Sequence, residues 1–310
     1  MRQEVLQACP MAPMLEAGLR QRFEVHRWPD IEDKDAWLRT KGREVRALVT
    51  SARFGVANAL LEKLPALEMI ALNGVGFDKI DLEFARRRGL KASYTPDVLT
   101  DDVADLALGL IISLLREIPA ADRYVKDGLW LAGDMPLARK VTGKKFGIFG
   151  FGRIGAAIAA RVSVLGPVAY TATADKANGY VFMPNLIDLA RASDVLVIAC
   201  NVSAETERAV GREVLDALGA RGYLVNIARG EVVDEPEMIA ALEDRRIAGA
   251  GLDVFLGEPD VAIRLRGLPN VVLTPHVGSA THETRAEMCR LVLANLDAHF
   301  AGEDLPTPLI

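Results

Sequence analysis

The sequence predicts an α/β protein built from two doubly wound parallel-sheet units. Three observations carry that prediction. Short apolar runs of strand length alternate with helical patterns from Val5 to Leu273. The run Phe146-Gly147-Ile148-Phe149 passes directly into Gly150-Phe151-Gly152-Arg153-Ile154-Gly155, after which Ile154, Ile158, Val162 and Leu165 recur at helical spacing. Polar, glycine-bearing loops follow several of the apolar runs, at the strand ends where open α/β sheets gather their ligands.

At 310 residues the chain has room for about two domains. Half of its residues are hydrophobic, enough for substantial cores. A net charge of −5 argues against a nucleic-acid surface, which needs a basic face. Cys9, Cys200 and Cys289 are widely spaced, and no Cys/His ligand cluster accompanies them, so neither a disulfide framework nor a metal site is expected. The N-terminus lacks the apolar core of a signal peptide, and no apolar run reaches the roughly 18 residues of a membrane span. A soluble, cytoplasmic chain is the expectation, with no membrane and no nucleic-acid partner.

The first portion reads as strands at Val5–Ala8, Phe23–His26, Ala47–Thr50 and Met69–Leu72, with helices at Met14–Leu19 and Ala57–Leu64. Asp81 is placed to cap a short helix that runs through Arg88 and stops at Gly89. In the loop Asn73-Gly74-Val75-Gly76-Phe77-Asp78, Gly74 and Gly76 leave backbone N–H groups accessible, which suits a carboxylate. Leu99–Ile118 is the longest helical pattern, with Val103, Leu106, Leu110, Leu114 and Ile118 in one stripe and Ala107, Ile111 and Leu115 widening it. Gly128–Lys140 is irregular and presents Trp130. Beyond the glycine turn, strands are predicted at Val168–Tyr170, Val195–Ala199, Tyr223–Ile227, Ala250–Val254 and Val271–Leu273. Helices fall near Leu186–Ala192, Arg212–Leu218 and Glu235–Glu243, and a long amphipathic helix at Thr281–Phe300.

The glycine turn, set between a strand and a helix, is the dinucleotide-binding arrangement. Gly150 permits the tight turn, Gly152 lets a pyrophosphate approach the backbone, and Gly155 lets the helix pack close to the strand. The N–H groups at the helix start and its dipole favour the phosphates. Among four histidines, His26, His282 and His299 read as surface or packing residues. His276 differs: it follows a strand end between Pro275 and Gly278. Arg229 and Glu258 follow the two preceding strand ends, so three consecutive loops deliver a guanidinium, a carboxylate and an imidazole to one rim. Hydride addition to a ketone leaves an alkoxide, and an imidazolium is a suitable proton donor near neutrality. A carboxylate beside it favours the charged form, and a guanidinium grips a carboxylate and polarises a ketone oxygen. His276 is therefore the candidate general acid/base, Glu258 its partner and Arg229 the substrate clamp.

With these residues placed, the chain resembles the D-isomer-specific 2-hydroxyacid dehydrogenase family over essentially its whole length, and within it the glyoxylate/hydroxypyruvate and hydroxyphenylpyruvate reductases. The matching stretches are Asn73–Asp78, Gly150–Gly155, Asn226-Ile227-Ala228-Arg229-Gly230, Gly251–Pro259 and Thr274–Gly278. The resemblance implies a Rossmann cofactor domain, residues 99–280, inserted into a flavodoxin-like substrate domain made of 1–98 and 281–310. It implies NAD(P)H-dependent reduction of a small 2-oxoacid (glyoxylate, hydroxypyruvate or an aryl pyruvate), with Arg229, Glu258 and His276 catalytic. It further implies that Val75 and Gly76 offer N–H groups to the substrate carboxylate and that Arg53 and Phe54 face the substrate. On the cofactor side it implicates Gly150, Gly152, Arg153, Ile154, Gly155, Cys200, Asn201, Val202, Ile227, Ala228, Asp253 and Gly278, with Asp253 near the nicotinamide amide. A homodimer formed through the cofactor domain is implied, and the broad apolar face of 99–118 suits it.

One departure concerns the cofactor. NAD-preferring members carry an acidic residue at the end of the second strand of the cofactor domain; here that position is Thr171, and the position of the NADP-preferring arginine is Thr173. Thr171 and Thr173 are expected to donate hydroxyl bonds to the cofactor, and Asp175 and Lys176 follow. With no carboxylate guarding the strand end, a weak preference for NADP over NAD is expected. Two other readings stand beside a reductase: a short phosphoglycerate dehydrogenase, disfavoured because no regulatory domain follows Ile310, and a nicotinamide-sensing corepressor-like binding protein, disfavoured by the lack of an evident tail. A formate dehydrogenase is disfavoured because Glu258 stands where those relatives have glutamine.

Overall fold

Strands that are apolar on both faces need cover on both faces, and the crossover helices of parallel sheets supply it. The computed structural model, which describes residues 2–310, shows this arrangement twice. The chain divides into two units: the residues up to Leu99 together with Ala280–Ile310, and Thr100–Ser279.

In the first unit β1 (Glu4–Gln7), β2 (Glu24–Arg27), β3 (Ala47–Ser51), β4 (Met69–Asn73) and β5 (Lys91–Ser93) form an all-parallel sheet in the order β2-β1-β3-β4-β5. Alternate residues feed two cores: Val5, Ala47, Val49, Met69 and Ala71 face one side, and Leu6, Leu48, Ile70 and Leu72 the other. Helices α1 (Pro13–Arg22), α2 (Lys34–Arg39), α3 (Asn58–Leu61) and α4 (Leu82–Arg87) make the crossovers. Asp81 caps α4 as predicted, its carboxylate accepting the Phe84 N–H at 2.8 Å. The C-terminal helix (His282–Ala301) packs on α1 and β4, burying Cys289, Val292 and Leu296.

The second unit contains α5 (Thr100–Leu115), α6 (Ile118–Lys126), β6 (Phe146–Phe149), α7 (Arg153–Val162), β7 (Val168–Thr171), β8 (Val181–Phe182), α8 (Leu186–Arg191), β9 (Val195–Ile198), α9 (Arg212–Leu218), β10 (Tyr223–Asn226), α10 (Glu235–Glu243), β11 (Gly249–Leu252), α11 (Ile263–Arg266) and β12 (Val271–Leu273). Its seven strands are parallel, in the order β12-β11-β10-β9-β6-β7-β8. The order reverses between β6 and β9, the switch point at which such sheets bind ligands. The edge strand β8, two residues long, is too short to carry a periodicity of its own and has no counterpart in the sequence pattern.

The helix expected over Leu99–Ile118 is interrupted. α5 ends at Leu115, Glu117 takes a left-handed conformation (φ 53°), and α6 starts at Ile118. Pro119 explains the break: inside a continuous helix its ring would clash with the carbonyl four residues back, whereas the first turn of a new helix accepts it. The apolar face of α5 is covered within its own unit, by α7 and by β10, β11 and β12. A run of exposed apolar side chains lies just beyond it: Ile118, Val125, Leu129, Trp130, Leu131 and Leu137. Among the described residues no helix is long and apolar enough to cross a membrane.

Candidate active site

The strands β10, β11 and β12 are neighbours, so the loops that follow them emerge side by side. Arg229, Glu258 and His276 stand on those three loops. Glu258 and His276 meet directly: Glu258 Oε2 lies 2.7 Å from His276 Nδ1. Their side chains are 15% and 30% exposed, so the pair is shielded but reachable. The other Glu258 oxygen accepts the Phe255 N–H at 3.0 Å, which holds the carboxylate in place. Arg229 is half-buried, and its Nη1 donates to the Ala228 carbonyl at 2.8 Å.

Buried polar residues shape these loops. Asn226, the last residue of β10, accepts the Ala228 N–H at 3.0 Å and donates to the Arg229 carbonyl at 2.8 Å, buckling the chain around Arg229. Asp253, 2% exposed, accepts bonds from Thr274 Oγ1 (2.6 Å) and from the Val277 and Gly278 N–H groups (2.9 Å each). His276 sits inside that clamp with φ 55°, a left-handed conformation uncommon outside glycine. Burial pushes the Asp253 carboxyl above the usual carboxylate range, against the opposing pull of these three bonds. Asn226 and Asp253 both carry a sequence signal: each is the lone polar residue inside an otherwise apolar run, Leu224-Val225-Asn226-Ile227-Ala228 and Gly251-Leu252-Asp253-Val254-Phe255.

A cleft of about 960 Å³ opens at the switch point. Gly150, Gly152, Thr171, Thr173, Cys200 and Asn201 are on its walls. The three glycines of the turn differ in what they permit. Gly150 has φ 97°, and a Cβ there would stand 2.4 Å from the Cys200 nitrogen; a Cβ on Gly155 would stand 2.1 Å from the Gly150 carbonyl oxygen. A Cβ on Gly152 would meet no protein atom within 4 Å. No side chain caps the start of α7, and a helix start of this kind suits an anion. An uncapped helix start beside a glycine with open space fits a dinucleotide pyrophosphate.

The sequence model described as "D-isomer specific 2-hydroxyacid dehydrogenase, NAD binding domain" matches residues 108–278. A hydroxyphenylpyruvate reductase of Plectranthus scutellarioides is 47% identical over 309 residues, covering 99% of this chain and 98% of that one. The chain belongs to the D-isomer specific 2-hydroxyacid dehydrogenase family. A glyoxylate/hydroxypyruvate reductase A of Arabidopsis thaliana is also 47% identical, over 308 residues, with the same coverage. Among solved structures, an NADPH-dependent glyoxylate/hydroxypyruvate reductase from Sinorhizobium meliloti, in complex with NADP and malonate, superposes with a TM-score of 0.93 at 39% identity, covering 100% of this chain and 97% of that one.

In this dehydrogenase-family chain the end of β7 corrects part of the sequence reading. Thr171 is 7% exposed and its hydroxyl donates to the Met183 carbonyl at 2.5 Å, so it is not a free donor for a ribose or phosphate. Asp175 is likewise engaged, accepting the Tyr170 hydroxyl at 2.7 Å and the Ala177 N–H at 2.9 Å; these bonds hold its carboxyl below the usual range. Thr173 is exposed, and both it and Lys176 line the cleft. Cys200 is half-buried, and burial pushes its thiol up to about 12. Val202 packs against the core, Ile227 and Ala228 are buried, and Arg153 and Ile154 open α7, with Arg153 exposed.

In the first unit, Gly74 also departs from expectation: its N–H donates to Thr95 Oγ1 at 3.0 Å. Among the described residues, the N–H groups of Val75 and Gly76 have no such partner. The Arg53 guanidinium lies 5.9 Å from the centroid of the Phe54 ring, and Phe54 is exposed. His26 and His299 pair with Glu4 (2.6 Å) and Glu68 (3.1 Å), consistent with packing roles. Among the described residues no His/Cys/Asp/Glu group could hold a metal.

Proposed function

We propose that this chain reduces a small 2-oxoacid, with glyoxylate, hydroxypyruvate and aryl pyruvates as the candidates, to the D-2-hydroxyacid with NAD(P)H. The observation that carries this reading is the 2.7 Å contact between Glu258 Oε2 and His276 Nδ1 on adjacent strand-end loops. With Nδ1 held by the carboxylate, Nε2 is left to face the substrate. The imidazolium donates its Nε2 proton to the ketone oxygen as the alkoxide forms, while Glu258 stabilises the charge and orients the ring. Arg229 supplies a guanidinium for the substrate carboxylate and the polarised ketone. The bound dinucleotide supplies the hydride. The amides of Val75 and Gly76 serve the substrate carboxylate, and Arg53 and Phe54 set the substrate's size and polarity. The start of α7 with Gly152 holds the pyrophosphate, and the cleft beside Thr173, Lys176, Cys200 and Asn201 receives the adenosine half. NADPH is preferred modestly over NADH, because no free carboxylate stands at the end of β7 to repel a 2′-phosphate. The protein acts in the cytoplasm as a homodimer, with the exposed apolar stretch 118–137 as its contact.

The test is His276→Ala. Turnover should fall by roughly 10²–10⁴-fold, the range of general acid catalysis, while NADPH still binds. Near-normal turnover with glyoxylate, hydroxypyruvate and an aryl pyruvate would remove His276 from the mechanism.

A further inference from the structure

One buried carboxylate beside this apparatus, Glu235, touches neither the proton-delivering pair nor Arg229 in the bonds described above. Glu235 is 8% exposed and is the first residue of α10, in the βα segment that carries Arg229. Its Oε2 nevertheless accepts a 2.9 Å bond from the Leu256 N–H, in the next βα loop. The adjacent N–H, that of Phe255, goes to Glu258 Oε1. Two successive amides of one turn are therefore held by two carboxylates, one from within the turn and one from outside it. Glu258's second oxygen is the one that meets His276.

The same turn is pressed against the loop of Arg229. A Cβ on Gly230 would lie 2.2 Å from the Phe255 carbonyl carbon and 2.5 Å from the Leu256 nitrogen, so the two backbones are in contact. Phe255 anchors the turn from the apolar side, buried in the core with Val232, Val233 and Leu265. The bond from Glu235 to Leu256 adds a polar tie on the approach to Glu258. Freed of it, the turn keeps Phe255 as an anchor but can rotate about it, and a small rotation changes where the Glu258 carboxylate meets the imidazole.

We propose that Glu235 is a positioning residue: it fixes the turn Phe255–Glu258 and through it sets Glu258 against His276. This rests on the reading of Glu258 and His276 as the proton-delivering pair. A neutral acceptor of the same length serves the same geometry, so Glu235→Gln keeps the bond from Leu256 and Glu235→Ala loses it.

The experiment compares both variants with wild type as full-length protein, measuring kcat, KM for oxoacid and NADPH, and the solvent deuterium isotope effect on kcat. Glu235→Ala should lower kcat by roughly tenfold to 10²-fold, the penalty of a small misplacement in a catalytic group. Both KM values should stay within about twofold, as expected when a step after binding is damaged. The isotope effect should rise, because proton delivery becomes slower, and Glu235→Gln should return kcat and the isotope effect to wild-type values. If Glu235→Ala does not fold, Glu235→Asp, one methylene shorter, takes its place and must show the same kcat loss. Unchanged kcat, a loss confined to KM, or a Gln variant as impaired as Ala overturns the role of Glu235. His276→Ala, run alongside, separates the two readings. If it keeps turnover, the proton pair itself fails; if it is inactive while Glu235→Ala is normal, only Glu235 falls.

Discussion

Replacing Gly152 by alanine separates the folding and binding roles of the glycine turn. Gly152 has φ −82° and ψ −162°, a conformation any residue adopts, and its added methyl group would meet no protein atom within 4 Å. The fold should therefore gain stability, by about 0.4–1 kcal/mol, because alanine restricts the unfolded chain more than glycine does. For a unit of this size that raises the unfolding midpoint by about 1–4 °C. Binding should move the other way. The methyl group projects beside the uncapped N–H groups of α7, where a phosphate oxygen must come within hydrogen-bond range, about 2.9 Å. A carbon in the path forces a separation of about 3.5 Å or more. Losing one charge-assisted bond at about 1.5–3 kcal/mol corresponds to roughly 10- to 150-fold weaker binding. Gly155→Ala is the contrasting variant: its methyl group would be driven to 2.1 Å from a backbone oxygen, so the fold itself should suffer. NADPH fluorescence titration and thermal melts on the same apo samples measure both quantities. Unchanged NADPH affinity in Gly152→Ala would refute the pyrophosphate placement, and a lowered midpoint would refute the claim that the space around Gly152 is open.

Cofactor choice is best tested at Thr173, which is exposed on the cleft; Thr173→Arg should tighten NADPH about tenfold, worth about 1.4 kcal/mol, with NADH little changed, as read from kcat/KM for each. Thr171→Asp should destabilise the protein as well as weaken NADPH, because it sets a buried carboxylate against the Met183 carbonyl that now accepts the threonine hydroxyl; a melt shows this directly. For the homodimer, Leu131→Glu with Leu137→Glu should yield monomers in sedimentation, since both side chains are almost fully exposed, at 96% and 97%; a wild type that is already monomeric at micromolar concentration contradicts the assembly. In the first unit, burial pushes the His299 imidazole below its usual pKa, with the Glu68 carboxylate opposing more weakly. The neutral form is therefore the one the fold favours: the stabilisation is complete above the unfolded histidine value of about 6.5 and is lost as pH falls through the lower folded value. The midpoint should drop as the pH is lowered from about 6.5, by about 2–4 °C for each kcal/mol lost, and His299→Gln should flatten the drop.

Much of this protein is legible locally. Alternation of apolar runs with helical patterns is a short-range signal, and it places β6, β12, α9 and α10 at their observed residues because each element's periodicity lies within itself. The glycine turn is equally local: strand, tight turn and helix start follow one another without a break, so its geometry needs no distant partner. The Asp81 cap of α4 belongs to the same class, donor and acceptor being three residues apart. The break at Glu117 was also within reach of the sequence, since Pro119 carries it, but the apolar stripe across the break is the stronger pattern and hides it.

What the tertiary structure decided is which polar groups are already taken. Thr171 reads as a free hydroxyl at a strand end until Met183, brought over by an edge strand too short to have a pattern, accepts its bond. The Gly74 N–H reads as available until Thr95 receives it from 21 residues away. Asp253 stands on one strand end and clamps the loop of the next, and Glu235 reaches from the start of a helix to an amide 21 residues further on. A hydrogen bond at such separation depends on strand order and loop path, which no local periodicity encodes. Sequence patterns put Glu258 and His276 on neighbouring loops; only the parallel pairing of β11 with β12 brings a carboxylate oxygen to 2.7 Å from an imidazole nitrogen across 18 residues of chain.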